Sequence, residues 1–138
     1  EPRVDIINQL GEKSIVPSSM IDISDGLSSE AIHLSSSSGV GFKIFEDRIP
    51  VSENAQKTAK ELGIDPSMCA LHGGEDYELL FTVPIKYHKQ LMELSDVHII
   101  GHATAQKNTV ELIRNSGESI NLMEEGWDSF LEQNKKNI

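Results

Sequence analysis

One cysteine, Cys69, is all the chain contains, so no disulfide can form within it and a reducing, cytoplasmic setting is expected. Cys69 lies in an apolar stretch that reads as helix, which suits a core position better than a nucleophile. The histidines are His33, His72, His88, His98 and His102. None stands at zinc-ligand spacing from the cysteine or from another histidine, which argues against a zinc site. No apolar run approaches the roughly 20 residues that span a bilayer, so no membrane partner is expected. The opening Glu1-Pro2-Arg3 also lacks the basic-then-apolar pattern of a signal segment. Basic residues are scarce: 12 Lys and Arg stand against 22 Asp and Glu, a formal net charge of -10. Such a chain repels nucleic acid and anionic lipid, so neither is expected as a partner. The acidity of the chain as a whole reads as plain solubility, while acids clustered at one site can still hold a cation.

What is present is an ordinary globular composition, 38% hydrophobic and 25% charged over 138 residues. That length is enough for one domain with a real core. The patterning predicts a short helix over 4–13 ended by Gly11, then a strand over 18–23. A helix is expected from 24–26 to about Ser38, stopped by Gly39. The serines at 35–38 read as a helix end rather than a linker, because period-two alternation resumes at once in residues 40–44 (VGFKI). Ser52 is a candidate cap for an amphipathic helix over 53–62, closed by Gly63. A further helix is expected from Asp65-Pro66 to Gly73-Gly74. Then come a strand over 77–83 ended by Pro84, a helix over 86–94, and strands over 97–101, 109–113 and 119–122. Turns fall at 107–108 and 115–117. A last helix covers 127–134, and residues 135–138 form a frayed tail. Helices and strands interspersed along the whole length predict an α/β domain of the α+β type, a mixed sheet flanked by helices.

Three constellations carry possible chemistry. In Asp22-Ile23-Ser24-Asp25-Gly26-Leu27 two carboxylates and a hydroxyl meet at a strand-to-helix turn. Mg²⁺ is a small hard cation usually held by one or two carboxylates plus substrate phosphates. The helix start that follows offers free N–H groups to an anion. The same residues read equally as a plain N-cap at Ser24 or Asp25, with Asp22 simply exposed. In residues 73–81 (GGEDYELLF), paired glycines precede three acids within four residues. Crowded carboxylates at a strand start need a cation, a donor or solvent for relief, and a helix end followed by an exposed acidic edge would satisfy that too. In residues 126–130 (GWDSF), Trp127 is the only tryptophan. It reads either as a core anchor or as a stacking surface for an aromatic ligand.

Taken in order, residues 20–27 (MIDISDGL), 38–41 (SGVG), 73–81 (GGEDYELLF), Ile100-Gly101 and 126–130 (GWDSF) closely resemble thiamine-monophosphate kinase. That family belongs to the superfamily of aminoimidazole ribonucleotide synthetase, selenophosphate synthetase and a hydrogenase-maturation protein. Pro2-Arg3-Val4 looks like the start of the family's second domain. The resemblance implies a single C-terminal domain over 1–134 with partial ferredoxin-like topology. The N-terminal domain, with its acidic metal ligands and dimer-forming barrel, lies outside the chain. It implies transfer of the γ-phosphate of ATP onto thiamine monophosphate, giving thiamine diphosphate, by a homodimer when intact and with no activity expected of this part alone. Asp22 and Asp25 would bind Mg²⁺, Ser24 would contact ATP, and Glu75 and Trp127 would line the thiamine-phosphate site. No residue is implied as a covalent or general-base catalyst. The alternatives are a superfamily member with another phosphate acceptor and a domain that binds without catalysis.

Overall fold

The computed structural model of the chain describes residues 4–23, 26–51, 53–64, 66 and 78–123. The predicted helices over 65–74 and 127–134, the tail at 135–138, and Ser52 and Cys69 lie outside the described residues, Pro66 excepted. The described elements are α1 (Val4–Glu12), β1 (Ser19–Ile23), α2 (Leu27–Ser38), β2 (Gly41–Phe45), α3 (Glu53–Leu62), β3 (Glu78–Thr82), α4 (His88–Met92), β4 (Gly101–Thr104), β5 (Val110–Ile113) and β6 (Ser119–Asn121). Single 3₁₀ turns sit at Glu46–Arg48 and Ile85–Tyr87.

The strands divide into two sheets. β1 and β3 form an antiparallel ribbon, with Ser19 opposite Thr82 and Ile23 opposite Glu78. The other four strands run in the order β4-β2-β5-β6. In that sheet β2 is parallel to β5 and antiparallel to β4, while β5 and β6 are antiparallel. A mixed sheet with helices interspersed is the α+β architecture the sequence predicts, with the ribbon as a second, separate sheet.

Burial explains the arrangement. Leu27, Ala31 and Leu34 form one face of α2 and pack with Phe42, Ile44, Val110 and Leu112 from the four-stranded sheet. Ile21, Ile23 and Leu80 of the ribbon close the same cluster. A second cluster joins Ile6, Leu10, Ile15 and Leu91, with Phe81 packed against it. The ribbon thus serves both cores through alternate residues, as the side-chain period of two requires. Each fully buried Leu or Ile here contributes about 1.5–3 kcal/mol.

Three expectations are corrected. α1 runs through Gly11 to Glu12, and the residue with positive φ (57°) that follows it is Ser14. Gly inside a helix costs only about 1 kcal/mol relative to Ala, which burying Ile6 and Leu10 offsets. The helix expected over 86–94 is a 3₁₀ turn running into the short α4. The strand expected over 97–101 begins only at Gly101. Val97 and Ile99 pack against the second cluster instead, and the Phe45 N–H donates to the Ile100 carbonyl at 2.8 Å where pairing starts. At Gly101 the backbone of Lys43 comes so close that a Cβ would collide with its carbonyl. Glycine there is therefore a condition of the β2–β4 pairing.

Candidate functional site

Two of the three constellations converge on one end of the ribbon. The register sets Asp22 opposite Leu79 and Ile23 opposite Glu78. The last strand residues of the first motif therefore pair with the first strand residues of the second. Asp22 and Glu78 are both exposed. Opposed residues of an antiparallel pair share a face, so Asp22 and Leu79 lie on one face and Ile23 and Glu78 on the other. Ile23 faces the α2 cluster, which leaves the Asp22 carboxylate on the side away from it. No described residue hydrogen-bonds or ion-pairs with that carboxylate.

The helix start beside this strand end has an unusual residue. The N-cap position of α2 is Gly26, at φ 101° and ψ 156°, with no side-chain cap. L-residues rarely adopt that conformation, so Gly26 makes the reversal from β1 into α2 possible. A glycine holds the N-cap position itself, and Ser24 and Asp25 lie outside the described residues. The positive end of the dipole of this 12-residue helix lies at that turn. At the far end Gly39 adopts the left-handed conformation and its N–H donates to the Ser35 carbonyl. The buried Ser35 hydroxyl donates to the Val40 carbonyl, so the serine run closes the helix as expected.

Ser24, Asp25, Glu75 and Trp127 lie outside the described residues. Among the described residues no three His, Cys, Asp or Glu side chains gather into a metal cage. Mg²⁺ does not demand one, since it retains water and takes one or two carboxylates plus phosphate oxygens. An exposed and unengaged Asp22 fits that chemistry. No described helix is long and apolar enough to cross a membrane.

Two buried carboxylates escaped the sequence reading. Glu30 lies within the apolar face of α2, between Leu27 and Leu34, and its Oε1 lies 3.0 Å from His33 Nδ1. Glu46 lies in the 3₁₀ turn after β2. Its Oε2 is 3.2 Å from Arg114 Nη2, and its Oε1 accepts the Asn115 N–H at 2.9 Å. For Glu30 the available signal was a lone acid at apolar helical spacing. For Glu46 there was none short of knowing that the segment after β5 returns beside β2.

This pairing of a four-stranded mixed sheet with an antiparallel ribbon is a domain class found in solved proteins. The structure of hydrogenase maturation protein HypE in complex with ATP matches at a TM-score of 0.71 with 18% identity, over 86% of this chain and 38% of that one, a likeness of fold alone. The structure of AaThiL complexed with AMPPCP and TMP matches at 0.67 with 31% identity, over 86% of this chain and 35% of that one. Within that class the sequence matches thiamine-monophosphate kinases, as the ordered motifs imply. The Pyrococcus abyssi protein is 43% identical over 89 residues, 64% of this chain and 26% of its own. The Escherichia coli K12 protein is 35% identical over 121 residues, 81% of this chain and 35% of its own. The chain spans between 21% and 35% of the length of the curated relatives it matches. No family model matches.

Proposed function

We propose that the chain is the C-terminal domain, over residues 1–134, of a two-domain kinase that uses ATP to convert thiamine monophosphate to thiamine diphosphate. The observation that carries this reading is the junction of the DISDGL and GGEDYELLF motifs at paired strand ends, Ile23 against Glu78. Kinase relatives up to 47% identical support it, as does the similar AaThiL structure with AMPPCP and TMP. In this reading Asp22 and Asp25 hold Mg²⁺, Ser24 contacts ATP, and Glu75 and Trp127 line the acceptor site. The attacking group is already an anionic phosphate, so no strong general base is required. The metal supplies neutralisation of the crowded phosphate oxygens. The exposed Asp22 carboxylate and the positive dipole end of α2 orient charge at that end of the ribbon. The remaining ligands belong to the preceding domain, through which the cytoplasmic enzyme dimerises, and the chain alone is therefore expected to show no turnover. The test is formation of thiamine diphosphate by the full-length protein from ATP and thiamine monophosphate. Turnover only on a different phosphate acceptor would move the chain to another branch of the superfamily, and no turnover on any acceptor would leave a binding domain.

Trp127 offers a sharper check. A thiazolium cation over an indole face gains about 0.5–2 kcal/mol, roughly 2- to 30-fold in affinity. Trp127→Ala in the full-length protein is expected to raise KM for thiamine monophosphate by such a factor and to leave KM for ATP unchanged. Trp127→Phe is expected to be milder. A collapsed melting temperature with an unchanged acceptor KM would assign Trp127 to the core.

A further inference from the structure

The two faces of the ribbon are not equally covered. Ile21, Ile23 and Leu80 pack on the α2 cluster, and Phe81 packs on the second cluster. Met20 and Leu79 join neither of these clusters. The register brings the two together. Met20 stands opposite Phe81 and Leu79 opposite Asp22, so all four share one face. Met20 and Leu79 are diagonal neighbours there, about 7–8 Å apart, with Asp22 on the same face. Met20 is 37% exposed and Leu79 is half-buried.

A sheet face turned to water alternates to polar residues. Large apolar side chains that stand together on a surface mark contact with another surface, and Met is enriched at the centre of such contacts. A two-stranded ribbon also gains from having both faces covered, being marginal by itself. Small ligands sit in concave pockets that bury most of their area, whereas this face is the side of a ribbon. It therefore suits a macromolecular surface. A second copy docked symmetrically here would bring each Asp22 toward its equivalent, setting like charges together. Another part of the same polypeptide meets no such symmetry, and a tether holds it at an effective concentration of the order of mM. The chain spans between 21% and 35% of the length of the kinases it matches, so most of such a protein lies outside it.

We infer that the face carrying Met20 and Leu79 is the docking surface for the preceding domain of the same protein. The inference rests on the reading of this chain as the second domain of a longer kinase. Met20 and Leu79 supply the apolar contact, and Asp22 stands beside them where the two domains meet. Among the described residues no metal cage forms. A domain seated on this face would bring further oxygen ligands within reach of a cation held by Asp22.

The experiment is maleimide labelling of the full-length protein without ligands. The labelled peptide is identified by mass, so that the native Cys69 is scored apart. Met20→Cys is compared with Met92→Cys, at a 68% exposed position on α4. Exposure of 37% against 68% allows about a twofold difference in rate. Docking is expected to slow Met20→Cys by at least about tenfold relative to Met92→Cys, because labelling then waits for the domains to open. A nearby carboxylate slows a thiol by itself, so Asp22→Asn is added to Met20→Cys, and the protection is expected to persist. Protection that vanishes with Asp22→Asn overturns the inference, as do rates at positions 20 and 92 within about twofold of each other. Protection that arises only when AMPPCP and thiamine monophosphate are added gives the face to a ligand and also overturns it. Unprotected Met20→Cys in a protein that forms thiamine diphosphate leaves the kinase reading standing. Protected Met20→Cys in a protein with no turnover on any acceptor removes that reading and keeps the docking surface.

Discussion

Asn in place of Asp22 is expected to lower turnover of the full-length protein about 10²- to 10³-fold, the usual loss when one fixed electrostatic contact to a transition state is removed. The substitution keeps the shape of the side chain and deletes one charge. Its position makes the result interpretable. Asp22 is exposed, lies on the ribbon face away from the α2 cluster, and engages no described residue. A surface change of that kind alters stability by no more than about 0.5 kcal/mol. Melting temperature should hold while the Mg²⁺ dependence of turnover moves to higher concentration. Steady-state kinetics across a Mg²⁺ series, read beside a thermal melt, measures both. An Asp22→Asn protein with normal turnover and normal Mg²⁺ dependence would falsify the assignment of this carboxylate to the metal.

The second large effect is on stability. Arg114→Met leaves Glu46 without its guanidinium, although the Glu46 side chain is only 3% exposed. Breaking a buried pair by removing one partner typically costs about 3–5 kcal/mol, because the remaining charge stays buried. That is a large share of the roughly 5–15 kcal/mol that holds a domain together. Chemical denaturation of this chain should show a midpoint lowered accordingly. The double variant Glu46→Leu with Arg114→Met removes both charges and should regain most of the loss, although the Asn115 N–H then forfeits its acceptor. Equal stability of the single and double variants would mean that the pair is not coupled.

Some elements were legible because local chemistry and tertiary packing agree. The VGFKI alternation buries Phe42 and Ile44 and leaves Lys43 half-exposed, so a strand was readable. Gly39 and Gly63 both adopt the positive φ that ends a helix. The errors arose where packing overrode local preference. Gly11 is a helix breaker by propensity, yet Leu10 and Ile6 are buried on either side of a continuous turn. Residues 97–100 have strand composition, but their side chains fill two different cores and the backbone joins β2 only at Gly101. At the site, sequence order alone could not show that Asp22 and Glu78 come to one strand end, since that depends on pairing between distant segments. The buried roles of Glu30 and Glu46 were hidden for the same reason: a carboxylate carries no mark of burial in its own sequence neighbourhood.

Those distant pairings also set how the chain can fold. Ser19 and Thr82, whose hydroxyls lie 2.5 Å apart across the ribbon, are separated by 63 residues, and Glu46 and Asn115 by 69. Neither sheet can be started by a local hairpin that includes β1 or β2. Alone, α2 and α3, at 12 and 10 residues, are too short to persist in water. The closure entropy of both long loops must be met before either core rewards it, which slows folding of non-local topologies. During synthesis the first half of the chain consequently waits, with the apolar faces of β1, α2 and β2 uncovered, until β3 and β5 emerge. This is a chain that depends on its second half to fold its first.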